Sequence, residues 1–171
     1  FNDGNAAFPK HYTLGDVGLL QDANVLLIAD FTQTGTVDLL IGSKDNRFVA
    51  VYENEDNTGV NFKRLILSTG IYGPSELVVG DIDGDGDKDV VIASDFNHQI
   101  TWIENTNSGG RFDKHHIVRS DFRGANSLSL EDFDSDGDLD LAMGGFAEPE
   151  VLLYNNDHRN GINYGLNYSK F

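Results

Sequence analysis

The stretch DIDGDGDKD, residues 81–89, places five aspartates at alternate positions with glycines among them. Carboxylates this close repel one another strongly unless positive charge lies among them. Calcium is a hard cation that takes about 6–8 oxygen ligands from carboxylates, backbone carbonyls and water. The stretch therefore predicts a calcium-binding loop, and an acidic solvated turn is the alternative.

A turn that directs alternate residues inward would supply the ligands of one ion. The carboxylates would be those of Asp81, Asp83, Asp85 and Asp89, and Asp87 would offer its carbonyl oxygen. Gly86 would permit the sharp turn, since glycine readily adopts left-handed backbone angles.

A second stretch, DFDSDGDLD, repeats this ligand set at residues 132–140. Its five aspartates are Asp132, Asp134, Asp136, Asp138 and Asp140. An EF-hand would need a bidentate glutamate at position twelve, where these stretches have Ile92 and Met143. The pattern therefore predicts two Ca²⁺ sites in strand-to-strand loops, and Mg²⁺ is disfavoured because it keeps its water in octahedral geometry.

The two acidic stretches belong to an internal repeat of 51 residues. A degenerate copy, DFTQTGTVD, occupies residues 30–38, and the segments FVAVYEN, QITWIEN and EVLLYNN follow the three copies at equal offsets. Repeats of this length usually fix the architecture of a protein.

Each repeat reads as four short strands bounded by Gly, Asp, Asn and Ser, and we find no amphipathic helix pattern. The prediction is an all-β protein of three four-stranded antiparallel β-propeller blades. Rings usually contain about 4–8 blades. The propeller is therefore expected to be incomplete, or to be completed by further blades of a longer protein or by other copies of the chain.

The repeat register divides the chain into four parts. Residues 23–74 form blade 1, residues 75–125 blade 2, and residues 126–171 blade 3 with a C-terminal tail. Residues 1–22 form an N-terminal segment with a candidate clasp strand, FPKHYTL at 8–14, which is similar to FDKHHIV in blade 2. We expect this clasp to complete the outer edge of blade 3, in the same chain or in another copy.

The combination of an apolar strand, DxDGDGxxD, a second strand and ITWIEN with a GG-x-F turn resembles the VCBS/FG-GAP repeat, which also builds integrin alpha-chain heads. The resemblance implies an extracellular or cell-surface, calcium-loop propeller that adheres, binds carbohydrate or accompanies an enzyme. Blade 1 departs from the pattern, because Thr32 and Thr34 replace aspartates and leave Asp30 and Asp38. We expect that loop to bind calcium weakly or not at all.

Composition excludes several classes of function. The net charge of −16 argues against nucleic acid as a partner, and no apolar run is long enough to insert into a membrane. The sequence has no cysteine, and we find no nucleophile elbow, phosphate-binding glycine loop or zinc-protease motif. A catalytic site is therefore not expected.

Four aromatic residues in loops between strands are candidate contacts for a glycan or protein ligand: Tyr72, Phe96, Phe122 and Phe146. The expected function is a secreted, non-catalytic calcium-binding module for adhesion or for carbohydrate or protein binding. Two alternatives stay open, an accessory propeller segment of a polysaccharide-degrading enzyme and a self-assembling structural subunit of a surface assembly.

Overall fold

The computed structural model describes residues 4, 11, 13–14, 20–107, 111–148, 151–156 and 167–169. Within these residues the chain forms twelve strands and no helix. The strands are β1 Ala23–Ala29, β2 Asp38–Ser43, β3 Phe48–Asn54, β4 Phe62–Ser68, β5 Pro74–Gly80, β6 Asp89–Ser94, β7 Gln99–Glu104, β8 Lys114–Arg119, β9 Ala125–Glu131, β10 Asp140–Gly145, β11 Leu152–Asn155 and β12 Asn167–Ser169. In the part of the chain that is described, no helix is long and apolar enough to cross a membrane.

The strands form three separate antiparallel sheets of four strands, in the orders β1-β2-β3-β4, β5-β6-β7-β8 and β9-β10-β11-β12. Each sheet is an up-and-down meander in which consecutive strands are neighbours. The prediction of an all-β protein with three four-stranded antiparallel blades is confirmed. Over the described residues, these sheets do not close into a ring.

The outer edge of blade 3 is formed by β12, which pairs with β11 through Leu153–Ser169, Tyr154–Tyr168 and Asn155–Asn167. This corrects the expectation that the N-terminal clasp takes that edge, because the C-terminal tail already occupies it. Most of the clasp, residues 8–10 and 12, lies outside the described residues. Leu14 packs instead against the apolar cluster on blade 1 that faces away from blade 2.

The core lies between blades, because successive side chains of a strand point to opposite faces of its sheet. In β6, Val90 and Ile92 belong to the cluster shared with blade 1. Their neighbours Val91 and Ala93 belong to the cluster shared with blade 3. Trp102, which occupies the repeat position of Val51 and Leu153, is buried in the second cluster. Blade 2 is thus covered on both faces.

Blades 1 and 2 are also joined by stacked aromatic rings. Phe31, in the loop after β1, stacks on Phe112 of blade 2 with ring centroids 5.1 Å apart. Phe31 is 1% exposed, whereas Phe133, at the same position of blade 3, is 49% exposed. A neighbouring blade therefore buries the aromatic ring at this position. Phe133 stays half-exposed because no further blade packs against blade 3 within the described residues.

Candidate metal centre

Three equivalent hairpin loops join the first and second strands of the blades: loop 1 (residues 30–38), loop 2 (81–89) and loop 3 (132–140). The sixth residue of each loop is a glycine with positive φ, 95° at Gly86 and 101° at Gly137. The turn predicted at Gly86 is confirmed. The fourth residue is also left-handed, and in loop 1 it is Gln33 with φ 55°.

The first and ninth aspartates of each loop hold the backbone of the turn. In loop 2, Asp81 accepts a hydrogen bond from the Gly86 N–H at 3.0 Å. Asp89 accepts hydrogen bonds from the N–H groups of Ile82 at 3.0 Å and Asn105 at 2.8 Å. Loop 3 repeats this frame, with the Gly137 N–H on Asp132 and the N–H groups of Phe133 and Asn156 on Asp140. Loop 1 has it as well, through Asp30 and Asp38.

The first, third and fifth aspartates of loops 2 and 3 converge. One carboxylate oxygen from each of Asp81, Asp83 and Asp85 lies within 4.8 Å of the other two, and the same holds for Asp132, Asp134 and Asp136. Two oxygens that both contact a Ca²⁺ ion at about 2.4 Å lie at most about 4.8 Å apart. The oxygen chemistry and the spacing of both groups therefore fit a calcium ion.

The remaining predicted ligands lie outside these groups of three. Asp87 and Asp138 follow them, and the backbone N–H of each donates to the aspartate two residues earlier, Asp85 and Asp136. Asp89 and Asp140 are buried. Burial raises the pKa of Asp89 to about 7, although hydrogen bonds from the backbone of Asn105 and Ile82 lower it. Whether these four residues bind metal stays a prediction.

The clustered carboxylates of loop 2 affect one another's protonation and hydrogen bonding. Burial and then the neighbouring Asp85 carboxylate raise the pKa of Asp83. Asp81 Oδ1 is buried and has no hydrogen-bond partner in the described part of the chain. An orphaned carboxylate oxygen beside two further carboxylates is the feature that a bound cation would satisfy.

Loop 1 has the same backbone frame but a different interior. Thr32 Oγ1 donates to Asp38 Oδ2 at 2.9 Å. The Thr34 hydroxyl lies 3.3 Å from the hydroxyl of Thr32 and 2.8 Å from that of Thr36. Since a hydroxyl both donates and accepts, this chain of threonines satisfies itself. An ionised carboxylate only accepts, so loops 2 and 3 lack that solution.

The aromatic candidates lie at the opposite ends of the strands. Phe96 and Phe146 lie in the turns between the second and third strands of blades 2 and 3, and Tyr72 and Phe122 lie in the connections between blades. Phe146 is 72% exposed and Phe96 is 54% exposed, with Lys44 Nζ 4.4 Å from the centre of the Phe96 ring. Tyr72 is partly covered by Arg47, whose Cζ lies 4.0 Å from the ring centre. Phe122 is buried in the core between blades 2 and 3, so it offers no surface to a ligand.

The sequence pattern marked Asn54, Asn105 and Asn156 as equivalent without giving them a role. The structure shows that each backbone N–H binds the ninth aspartate of its loop. Their side-chain amides bind the carbonyl of the eighth residue, at 3.3 Å, 3.2 Å and 3.2 Å. The only available signal was the recurrence of asparagine at the end of each third strand or directly after it.

No curated protein matches the sequence of the chain. A solved structure of a lectin from Agrocybe aegerita, described for the recognition of non-reducing terminal N-acetylglucosamine, has a TM-score of 0.55 and 20% sequence identity. The match covers 86% of this chain and 38% of the lectin chain, so the chain spans well under half of the lectin's length. At this identity the likeness shows the fold, which is that of β-propeller-like blades.

The FG-GAP-like repeat matches twice, at residues 30–92 and at residues 81–143. Together the matches span about two thirds of the chain and contain all three loops. Each match begins at the first aspartate of one loop, Asp30 or Asp81, and ends in the second strand of the next blade. Because these matches cover more than half of the chain, the chain belongs to the FG-GAP-like repeat family.

Proposed function

We propose that the chain is an extracellular, non-catalytic propeller module that binds two calcium ions and uses them to hold its fold. The observation that carries the proposal is the contrast between loops that share one backbone frame. Loops 2 and 3 gather three carboxylates each, whereas loop 1 closes with hydroxyls. A difference confined to the interior of the loop is expected when two copies bind a cation and the third does not.

Asp81, Asp83 and Asp85 would hold one ion and Asp132, Asp134 and Asp136 the other. A bound Ca²⁺ would supply the positive charge that stabilises these clustered carboxylates. Because the folded chain alone brings the carboxylates together, binding adds stability by mass action. The chain has no disulfide that could stabilise the fold instead.

The proposed ligand surface is the opposite rim, which presents Phe96, Phe146 and the Arg47–Tyr72 pair. Exposed rings beside cationic side chains suit the faces of sugars or partner side chains. The lectin neighbour recognises terminal N-acetylglucosamine, which makes glycans ending in that sugar the first ligands to test.

Further blades are the proposed partners. On blade 3, Phe133 is half-exposed, whereas Phe31 at the same position of blade 1 is buried. On blade 1, Leu26 and Ile28 are 57% and 59% exposed. Leu77, at the position of Leu26 in blade 2, is buried against blade 1. Blades of a longer protein or of another copy would cover these residues in the same way.

Calcium titration by calorimetry tests the proposal. We expect two ions per chain, with Asp83→Asn/Asp85→Asn and Asp134→Asn/Asp136→Asn each abolishing one and Thr32→Ala/Thr34→Ala abolishing none. Calcium binding at these loops would be refuted if titration gave no binding heat, or if neither aspartate double variant changed it.

The ligand and localisation proposals need separate measurements. A glycan array in calcium should show binding without product release. Turnover of a polysaccharide would favour the accessory-enzyme alternative instead. Recovery of the protein only from the cytosol of its source cells would contradict the extracellular assignment.

A further inference from the structure

Loops 1 and 2 are joined by two reciprocal hydrogen bonds. Gln33 Nε2 of loop 1 donates to the Gly86 carbonyl at 2.6 Å. Lys88 Nζ of loop 2 donates to the Asp30 carbonyl at 3.0 Å. Gly86 is the turn residue next to Asp85, so the first bond acts on the backbone that positions a converging carboxylate.

The backbone at Gln33 indicates that its side chain matters. Its φ of 55° is unfavourable for a residue with a Cβ; loop 2 has Gly84 at the same position, and loop 3 has Ser135 with φ 64°. Glycine would relieve the unfavourable angle there but would remove the donor to Gly86. A strained residue that makes a specific contact points to a role for that contact.

Loops 2 and 3 cannot be joined in this way. Gly84 has no side chain to donate, and Leu139, which aligns with Lys88, has no donor group. In loop 3, moreover, the Asn155 amide donates to Asp134 Oδ2. That bond is made within loop 3 and its own blade, and it does not involve loop 2.

We propose that loop 1 is a metal-independent support for loop 2, with Gln33 and Lys88 as positioning residues that strengthen calcium binding by loop 2. The proposal rests on the proposed function, since it requires loop 2 to bind calcium. Loop 1 suits the role because its threonine hydroxyls close it without an ion. A loop already held in its bound shape loses less conformational freedom on binding.

The test uses the full chain with loop 3 silenced by Asp134→Asn and Asp136→Asn. Tb³⁺ serves as the probe, because the single tryptophan, Trp102, lies beside the Asp89 carboxylate and can sensitise its luminescence. Calcium is then measured by competition against bound Tb³⁺. Gln33→Gly should weaken calcium binding about three- to tenfold, the range for losing one hydrogen bond, without lowering the melting temperature in chelator.

Asn57→Gly is the matched control, because Asn57 also has φ 55° but lies in the exposed turn between β3 and β4. It should leave calcium affinity unchanged. Lys88→Met should weaken binding too, whereas simple removal of a positive charge would tighten it.

Unchanged affinity in Gln33→Gly, or tighter binding in Lys88→Met, would overturn the supporting role of loop 1 alone. If the chain with loop 3 silenced binds neither Tb³⁺ nor calcium, the proposed metal function fails, and the supporting role fails with it.

Discussion

Replacing Asp83 and Asp85 together by asparagine should change stability differently with and without calcium. In chelator the variant should be more stable than the parent, because the converging carboxylates of loop 2 no longer repel one another. An asparagine amide can also donate to Asp81, much as the threonine hydroxyl donates to Asp38 in loop 1. In calcium the variant should lose the stabilisation that the loop 2 ion gives.

The structure sets the scale of both effects. Unit charges 4.8 Å apart repel by about 1 kcal/mol in a water-like dielectric, less in salt. Removing the three pairwise repulsions of loop 2 should therefore stabilise the calcium-free protein by about 1–3 kcal/mol. Calcium at a hundredfold excess over Kd adds about 2.7 kcal/mol per site. At about 2–4 °C per kcal/mol, calcium should raise the Tm of the parent by about 10–20 °C and that of the variant by about half as much.

Differential scanning calorimetry in calcium and in chelator measures all four melting temperatures. Thr32→Asn/Thr34→Asn makes the same chemical change toward asparagine in loop 1 and should leave the calcium-induced shift intact. A loop 2 variant that melts lower than the parent in chelator, or that keeps the full calcium-induced shift, would refute the reasoning.

Three further outcomes are expected. Thr32→Asp/Thr34→Asp should create a third calcium site, so that calorimetric stoichiometry rises from two to three; a ratio of two would show that loop 1 lacks more than its carboxylates. Phe112→Ala should cost about 3–5 kcal/mol in urea unfolding because it empties a buried aromatic stack, whereas Phe133→Ala, at a half-exposed ring, should cost under about 1 kcal/mol; equal costs would contradict the packing described between the blades. Phe146→Ala should weaken ligand binding at least about tenfold with an unchanged Tm, and unchanged binding in the same array would place the ligand elsewhere.

The strands were predictable because the same pattern of apolar runs and turn residues occurs in three repeats of the sequence. Apolar runs such as residues 38–43 and 89–94 recur at one spacing and form β2 and β6 as expected. The fourth strand of blade 3 was not predictable, since Asn167–Ser169 lacks the Phe-x-Lys pattern of the other outer strands.

The acidic residues of the candidate site were predictable from the sequence. Which of them converge and which bind backbone N–H groups was not. Alternation within loop 2 indicated a ring of carboxylates, yet it could not show that Asp89 is committed to two backbone N–H groups. Phe122 was assigned to the surface because it follows a strand, and long-range packing buries it instead. The contact of Gln33 with Gly86 joins residues of different repeats, so no local pattern could signal it.

The separation of the two rims has a consequence for any binding assay. The second strand of each blade, such as Asp89–Ser94, has six residues and spans about 20 Å, more than twice the Debye length of about 8 Å at physiological salt. The charge of an ion at the loops is therefore screened from a ligand held at the aromatic rim. Chelation should then reduce the number of molecules competent to bind, while those that stay folded keep their dissociation constant.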